Sequence, residues 1–470
     1  MKEETNNGKK KLTLFALTWP IFIEIFLHML MGNADTLMLS QYSDDAVAAV
    51  GVSNQIMGFI VVMFGFIATG TTILISQFLG ADRKQEANQI AVVSIATNLT
   101  FGLFLSIFLM GFGDTILRLM GLPEELMDTA LLYLQIVGGF AFIQAMIMTV
   151  SAIIRSHGHT KDAMFVTMGM NVINVFGNFV LIFGALGFPE LGPVGVAIST
   201  AASRFLGMLV MFIVLYKRIT GGLPFNYLLK KFPKKELKQL LKIGIPSAGE
   251  QLSYNTSQVV VTSFIATMGT TALTTRVYAQ NLMMFMLLFS AAIGQGTQIL
   301  IGHLIGEQAM KEAYLRCIKS LSIGIAISTS MAIVIAFFRE PLLGIFTDNS
   351  EVIGLGGTLL LLTVILEPGR AFNLIVINSL RAAGDVRFPV YIGVLSMWGV
   401  MVTLSYGLGV ALGLGLIGVW ISFILDEWLR GLLMLRRWRT RKWESMSFVD
   451  DQKNRETEED NLVNKPATNQ

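Results

Sequence analysis

The chain has 470 residues, 53% of them hydrophobic and only 14% charged, with a mean hydropathy of +0.63. A soluble core cannot hide that much apolar surface, so the composition excludes a soluble globular domain and makes the lipid bilayer the main solvent. A single cysteine, Cys317, excludes an internal disulfide and any cysteine-built metal or iron–sulfur site, and the net charge of +3 means little until the cations are located.

A bilayer-crossing helix needs about 20 mainly apolar residues. Twelve such runs follow one another at 13–39, 51–78, 88–113, 127–152, 163–186, 193–216, 242–267, 278–305, 315–338, 354–380, 386–409 and 413–435. Lys9, Lys10 and Lys11 precede the first run and imitate a secretory signal. That run is too long for one, contains Glu24, His28 and Asp35, and lacks a small-residue cleavage site, so it reads as a retained span. Alternate connections sort by charge. One set holds Arg83 and Lys84, Arg155 and Lys161, Lys217 through Lys238, Lys311, Arg316 and Lys319, Arg381 and Arg387, and Arg436 through Lys442, whereas the other holds only Arg118, Arg276 and Arg339. The positive-inside bias therefore places both termini in the cytoplasm and the protein in the cell membrane.

The expected organisation is a cytoplasmic N-terminal tail over 1–12, a six-helix N-lobe over 13–216, a cytoplasmic amphipathic linker over 217–241, a six-helix C-lobe over 242–443 and a disordered cytoplasmic tail over 444–470. The linker mixes lysines with Phe232, Leu237, Leu240 and Leu241 at helical spacing, which suits an anionic membrane surface better than nucleic acid. The two lobes are repeats. Residues 20–87 align without a gap on 246–313 at an offset of 226, with 15 identities in 68 positions, among them Pro20 with Pro246 and Glu24 with Glu250. GTTILISQFLG, ending at Gly80, falls on GTQILIGHLIG, ending at Gly306, and the same offset carries Arg155 and Gly158 onto Arg381 and Gly384. After a three-residue slip, GPVGVAIS from Gly192 matches GLIGVWIS from Gly415. Six helices per repeat, an even number, give parallel repeats about an axis along the membrane normal.

Ionisable groups within the spans are costly enough to be functional candidates. In the first span Glu24, His28, Met31 and Asp35 share one helical stripe, with the two carboxylates about 16 Å apart along the axis. In the fifth, Asn171, Asn174 and Asn178 form a stripe of amides able to flank Asp35. A carboxylate among neutral oxygens suits reversible binding of a proton or of Na+ at Asp35. The alternatives are a structural carboxylate capping a neighbouring helix and plain interhelical packing of the asparagines. Valine stands at 261, the position equivalent to Asp35. In the second half Glu250, Tyr254 and Ser257 form a stripe, Glu367 and Arg370 are one turn apart, and Asp426, Glu427 and Arg430 lie within one turn. Reading Glu367–Arg370 as an ion pair leaves Glu250 as the free carboxylate of this half, while Glu24 or snorkelling satisfies Arg204. No phosphate-binding GxxxxGK[ST] loop, HExxH motif or other catalytic constellation is present, so an enzyme or an ATP-driven pump is not expected; no cofactor is implied beyond H+ or Na+ as coupling ion. The 26 methionines and 32 phenylalanines offer a soft lining for varied ligands.

TWPIFIEIFLHMLMGNADTLMLS, GTTILISQFLGADR, GPVGVAIST and SLRAAGDVRFP resemble the multidrug and toxic compound extrusion family, over about 12–440. The resemblance implies an all-α integral membrane fold with twelve transmembrane helices in two parallel six-helix repeats forming a V-shaped cavity. It also implies export of cationic or amphipathic small molecules against inward H+ or Na+ flow; the expected mechanism is alternating access, and the expected state a monomer. Asp35 matches the family's first-helix aspartate, and Asn174 and Asn178 match its fifth-helix polar positions. The proton-coupled branch has an aspartate where this chain has Asn178. The sodium-coupled branch has a glutamate at Tyr254 and an aspartate at Arg370, so neither ion signature is intact. A lipid or lipid-linked sugar flippase is the nearest alternative; the major facilitator superfamily lacks these motifs.

Overall fold

The computed structural model describes residues 12–219, 221–230 and 232–449. The first half contains α1 (Leu14–Ser40), α2 (Asp44–Gly80), α3 (Lys84–Leu119), α4 (Glu124–Gly139), α5 (Ala141–Ser156), α6 (Thr160–Ile182) and α7 (Pro193–Arg218). A short α8 (Asn226–Lys230) leads to α9 (Lys234–Ala266), α10 (Thr270–Gly306), α11 (Met310–Phe337), α12 (Arg339–Gly344), α13 (Ser350–Ala382), α14 (Arg387–Ser396) and α15 (Gly415–Arg439). Helix is the expected state throughout, because a segment in lipid must satisfy its backbone hydrogen bonds internally.

Among the described residues the helices group into twelve segments at the expected spans. Among the described residues nine are long and apolar enough by composition, counting Arg387–Ala411 as one, and α4 with α5, bent by 41° at Phe140, makes a tenth. The more polar α9 and α15 complete the set. Helix boundaries repeat the sequence offset. The starts of α2, α3 and α4 recur 226 residues later in α10, α11 and α13, and the ends of α1, α2 and α5 recur in α9, α10 and α13. Even backbone irregularities are copied: positive φ at Asp82 and Gly158 returns at Gln308 and Gly384.

Several expected boundaries move. The second and eighth spans start earlier than their apolar runs, at Asp44 and Thr270; Asp44 and Asp45 are polar but favourable in a first helical turn, which an apolar-run criterion cannot see. The π-helical turns Met397–Val402 and Ser405–Ala411 extend the eleventh span to Ala411. The linker is not a separate amphipathic segment to Leu241. Its second part, from Lys234, is the first turns of α9, where Leu240 is buried while Phe232 ahead of it is exposed. In the linker, partial burial and the neighbouring Glu236 carboxylate push the Tyr227 hydroxyl up to about 12, leaving it a donor to Glu236 at 3.0 Å. The C-terminal tail starts later than residue 444. Trp443 stacks on Trp438 with centroids 4.1 Å apart, Phe448 is buried, and its N–H donates to Gln77 Oε1 at 2.9 Å. The rest of the expected tails, 1–11 and 450–470, lies outside the described residues, as do 220 and 231 of the linker.

Two compact units result. One comprises the described residues of 15–75 and 84–245; the other comprises Ser76–Arg83, the described residues from Pro246 onward and those before Phe15. The division falls inside α9 because its first turns pack on α2, with Leu240 and Ile243 lying over Gly70. In the first unit interhelical polar bonds tie the bundle: Asn98 Nδ2 donates to Thr149 Oγ1 at 2.6 Å and Ser53 Oγ to the Ala130 carbonyl at 3.0 Å. Such bonds and close packing, rather than the hydrophobic effect, hold helices together in lipid, at about 1 kcal/mol each. The second unit buries Trp420, whose indole N–H donates to Thr363 Oγ1 at 3.3 Å.

Within this second unit the end of α2 crosses α10 at two glycines. A Cβ on Gly80 would strike the His303 carbonyl, and one on Gly306 would strike the Gln77 carbonyl. Gly80→Ala is therefore expected to lower stability by about 1–3 kcal/mol or more. Gly111→Ala, on α3 with open space around it, should not. Thermal unfolding of the two variants in detergent checks the contrast, and equal midpoints would contradict the close crossing.

Candidate functional site

The first unit carries a polar interior built by α1, α2, α4, α5, α6 and α7. Its placement depends on how closely α6 and α7 approach. Side chains at Gly177 and Gly195 would run into the Ser199 hydroxyl and the Leu181 carbonyl, so small residues let the two backbones meet. Asn174 Nδ2 then donates to Thr200 Oγ1 at 3.2 Å, and Ser199 Oγ returns a bond to the Asn174 carbonyl at 2.8 Å. One turn further along α6, Asn178 Nδ2 donates to Asp35 Oδ1 at 2.5 Å. Asp35 is 5% exposed and Asn178 fully buried.

Within the predicted amide stripe Asn178 makes the close bond to Asp35 and Asn174 also lies within its reach. Asn171 turns back to its own helix, donating to the Thr167 carbonyl at 3.1 Å. The Oδ1 atoms of Asn171, Asn174 and Asn178 are all buried without hydrogen-bond partners. The Asp35 carboxylate, the Thr200 hydroxyl and the amide oxygens of Asn174 and Asn178 are all hard oxygen donors. That chemistry fits a proton or Na+ and does not suit a transition metal. Among the described residues no cluster of three or more His, Cys, Asp or Glu could hold a metal ion.

Asp35 is also alone in its pairing state. Among the described residues it is the buried carboxylate that forms no ion pair, whereas the others each meet an arginine. Glu24 Oε2 lies 3.5 Å from Arg155 Nη1, and Glu24 Oε1 accepts from Ser151 Oγ at 2.8 Å. Glu250 is bonded to Arg381. This corrects the expectation that Glu250 is the free carboxylate of its half. Arg381 on α13 supplies the counter-charge that a reading confined to α9 omits. The two pairs are one feature copied, since both members are related by the offset of 226. That joint duplication of Glu and Arg is the sequence signal that identifies the partners.

The second unit is a closed ionic network. Glu367, fully buried, is 2.5 Å from Arg370, as expected. Arg370 also approaches Glu427 at 3.8 Å, and Arg430 joins Glu427 at 3.1 Å to Asp426 at 2.6 Å. Ser396 Oγ donates to Asp426 at 2.6 Å and Asn373 Nδ2 to Glu427 at 2.8 Å, two contributors that no charge pattern marks. Tyr254 stays partly exposed, its carbonyl accepting from Ser257 Oγ at 2.7 Å.

Two residues of the first-span and sixth-span predictions end without a bond. His28 forms no hydrogen bond among the described residues and sits in the fields of Glu24, Arg204 and Arg155. Arg204 is satisfied neither by Glu24, which Arg155 and Ser151 occupy, nor by any other carboxylate among the described residues. Its Nε is buried without a partner.

Comparison with known proteins follows the same outline. The MatE family profile matches residues 20–180 and again 246–407. The chain is 56% identical over 434 residues to the uncharacterized transporter YisQ of Bacillus subtilis, covering 92% of this chain and 95% of that one. It is 27% identical to the probable multidrug resistance protein NorM of Thermotoga maritima, over 95% and 96% of the two chains. A solved MOP superfamily transporter from Pyrococcus furiosus superposes with a TM-score of 0.84 at 22% identity, covering 93% of this chain and 98% of its own. An outward-facing multidrug resistance MATE family transporter superposes with a TM-score of 0.83 at 22% identity, over 91% and 95%. At that identity the likeness shows the fold alone.

The repeated ion pair makes a stability prediction. Glu250→Gln strands Arg381 in the interior and is expected to cost about 3–5 kcal/mol, whereas Glu250→Gln with Arg381→Gln should cost clearly less than the two single changes summed. Unfolding midpoints in detergent measure both. Strict additivity would show that the pair does not act as a unit.

Proposed function

This chain belongs to the MatE family, the multidrug and toxic compound extrusion transporters, and on that premise we propose that it exports cationic or amphipathic compounds in exchange for inward H+ or Na+. The observation that carries the coupling is Asp35. It is a buried carboxylate bonded to a neutral amide and not to a cation, beside amide oxygens that have no partner. A carboxylate already held by arginine has nothing left to offer a passing cation; Asp35 has. The relatives called multidrug resistance proteins favour drug-like substrates over lipid ones.

In this reading the transporter alternates access to the two sides of the plasma membrane, with both termini in the cytoplasm and one protomer as the working unit. Asp35, with Asn174 and Asn178, takes the coupling ion from outside, and its ionised form attracts a cationic substrate from inside. Occupancy by one disfavours the other, so ion binding favours substrate release. The second unit then lends scaffold and not a second ion site, because Glu250, Glu367, Asp426 and Glu427 are each engaged by arginine.

Asp35→Asn is expected to abolish gradient-driven export from proteoliposomes while the protein accumulates and unfolds much as the wild type does. The assay follows efflux of a fluorescent organic cation under a pH gradient and, separately, under a sodium gradient. Full export by the variant under either gradient would remove Asp35 from the mechanism.

A further inference from the structure

Arg204 remains unexplained by the ion-exchange reading. It lies on α7 one turn after Thr200, on the same stripe; Thr200 accepts from Asn174, which is one turn along α6 from the Asn178 that bonds Asp35, so the polar stripe leads to its base. Other buried or half-buried arginines have carboxylate or hydrogen-bond partners: Arg155 has Glu24, Arg370 has Glu367, Arg381 has Glu250, Arg430 has Asp426, and Arg276 has Thr262 and Gln258. Arg204 forms no hydrogen bond or ion pair among the described residues, and its Nε is enclosed without an acceptor. The charged and titratable groups whose fields meet it are Asp35 on α1 and Tyr133 on α4, and it acts in turn on His28. Tyr133 is already committed, donating to Asn54 Oδ1 at 3.0 Å. Arg204 is the cation whose field reaches Asp35.

A guanidinium keeps its proton, so this is a permanent positive charge. Counting the interior gives a simple result. Glu24 and Arg155 cancel, and Asp35 and Arg204 cancel while Asp35 is ionised. Once Asp35 holds a proton or a sodium ion, the interior carries one uncompensated positive charge, and that charge is Arg204.

We propose that Arg204 is a tethered rival of the coupling cation, near enough to weaken the hold of Asp35 on it but not bonded to Asp35, so that ion loading leaves a positive interior that repels a cationic substrate. This rests on the role given to Asp35 above. Arg204 touches neither ion nor substrate in this account; it is a positioning residue acting through the field.

The test compares Arg204→Gln and Arg204→Lys in proteoliposomes, with efflux of a fluorescent organic cation measured against external pH at fixed sodium and against sodium at fixed pH. Arg204→Gln should reach half-maximal export at about tenfold lower proton or sodium concentration, the order of effect expected on removing one unit charge that acts on the carboxylate. For protons the midpoint thus moves to higher pH, because the carboxylate that lost its cationic neighbour binds protons more tightly. Arg204→Lys should stay close to wild type. A merely structural arginine would lower the unfolding midpoint and the amount of active protein without moving the half-saturating ion concentration. If Arg204→Gln does not accumulate, Arg204→Met is measured in its place. An unmoved midpoint, or one shifted to higher ion concentration, overturns the proposal. If Asp35→Asn is inactive while the Arg204 midpoint is unmoved, only this inference falls; if Asp35→Asn exports normally, the ion-exchange reading falls first.

Discussion

A charge placed inside a bilayer has to be matched by the protein, and in this chain the match is made by arginine reaching from one helix to a carboxylate on another. Glu24 with Arg155 joins α1 to α5, and Glu250 with Arg381 joins α9 to α13. Each glutamate lies one turn after a proline within its helix, Pro20 or Pro246, where a backbone hydrogen bond is missing. The ion pair thus anchors a helix one turn beyond a proline. Breaking one would leave a charge without its partner in the interior.

With those pairs closed, the remaining polar groups acquire meaning by contrast. The second unit consumes its acids in a network that includes Arg370 and Arg430, and the first leaves Asp35 among amides. The repeats therefore share a frame and differ in what they leave unsatisfied. The duplication supplies the frame twice; the second copy has a valine at 261 where the first has Asp35, and its Arg370 joins Glu367.

Much of this was legible before any coordinates. Hydropathy located twelve spans, and the offset of 226 located the repeat, because both signals are periodic and carried by many residues. The stripe through Asn174 and Asn178 also pointed to Asp35 correctly, since spacing along one helix fixes which residues share a face. What escaped was partnership between helices. Asn171 lies on the same stripe yet bonds its own backbone, and Glu250 looks free until Arg381, 131 residues away, is brought beside it. Helix ends escaped for a different reason: Asp44 and Lys234 are polar, and a helix may run on past the hydrocarbon where hydropathy falls silent.

The glycine crossing of α2 and α10 has an implication for origin. Gly80 faces the carbonyl of residue 303 and Gly306 faces that of residue 77, and both relations are the same one displaced by 226. That is the signature of an isologous contact, in which i meets j and j meets i. An ancestral six-helix chain with one such glycine would already have been self-complementary at this spot and could have paired as a twofold dimer. Fusion of two copies then needed no new surface here, only a linker, and later divergence was free to act on the polar interiors while the crossing kept its one permitted residue.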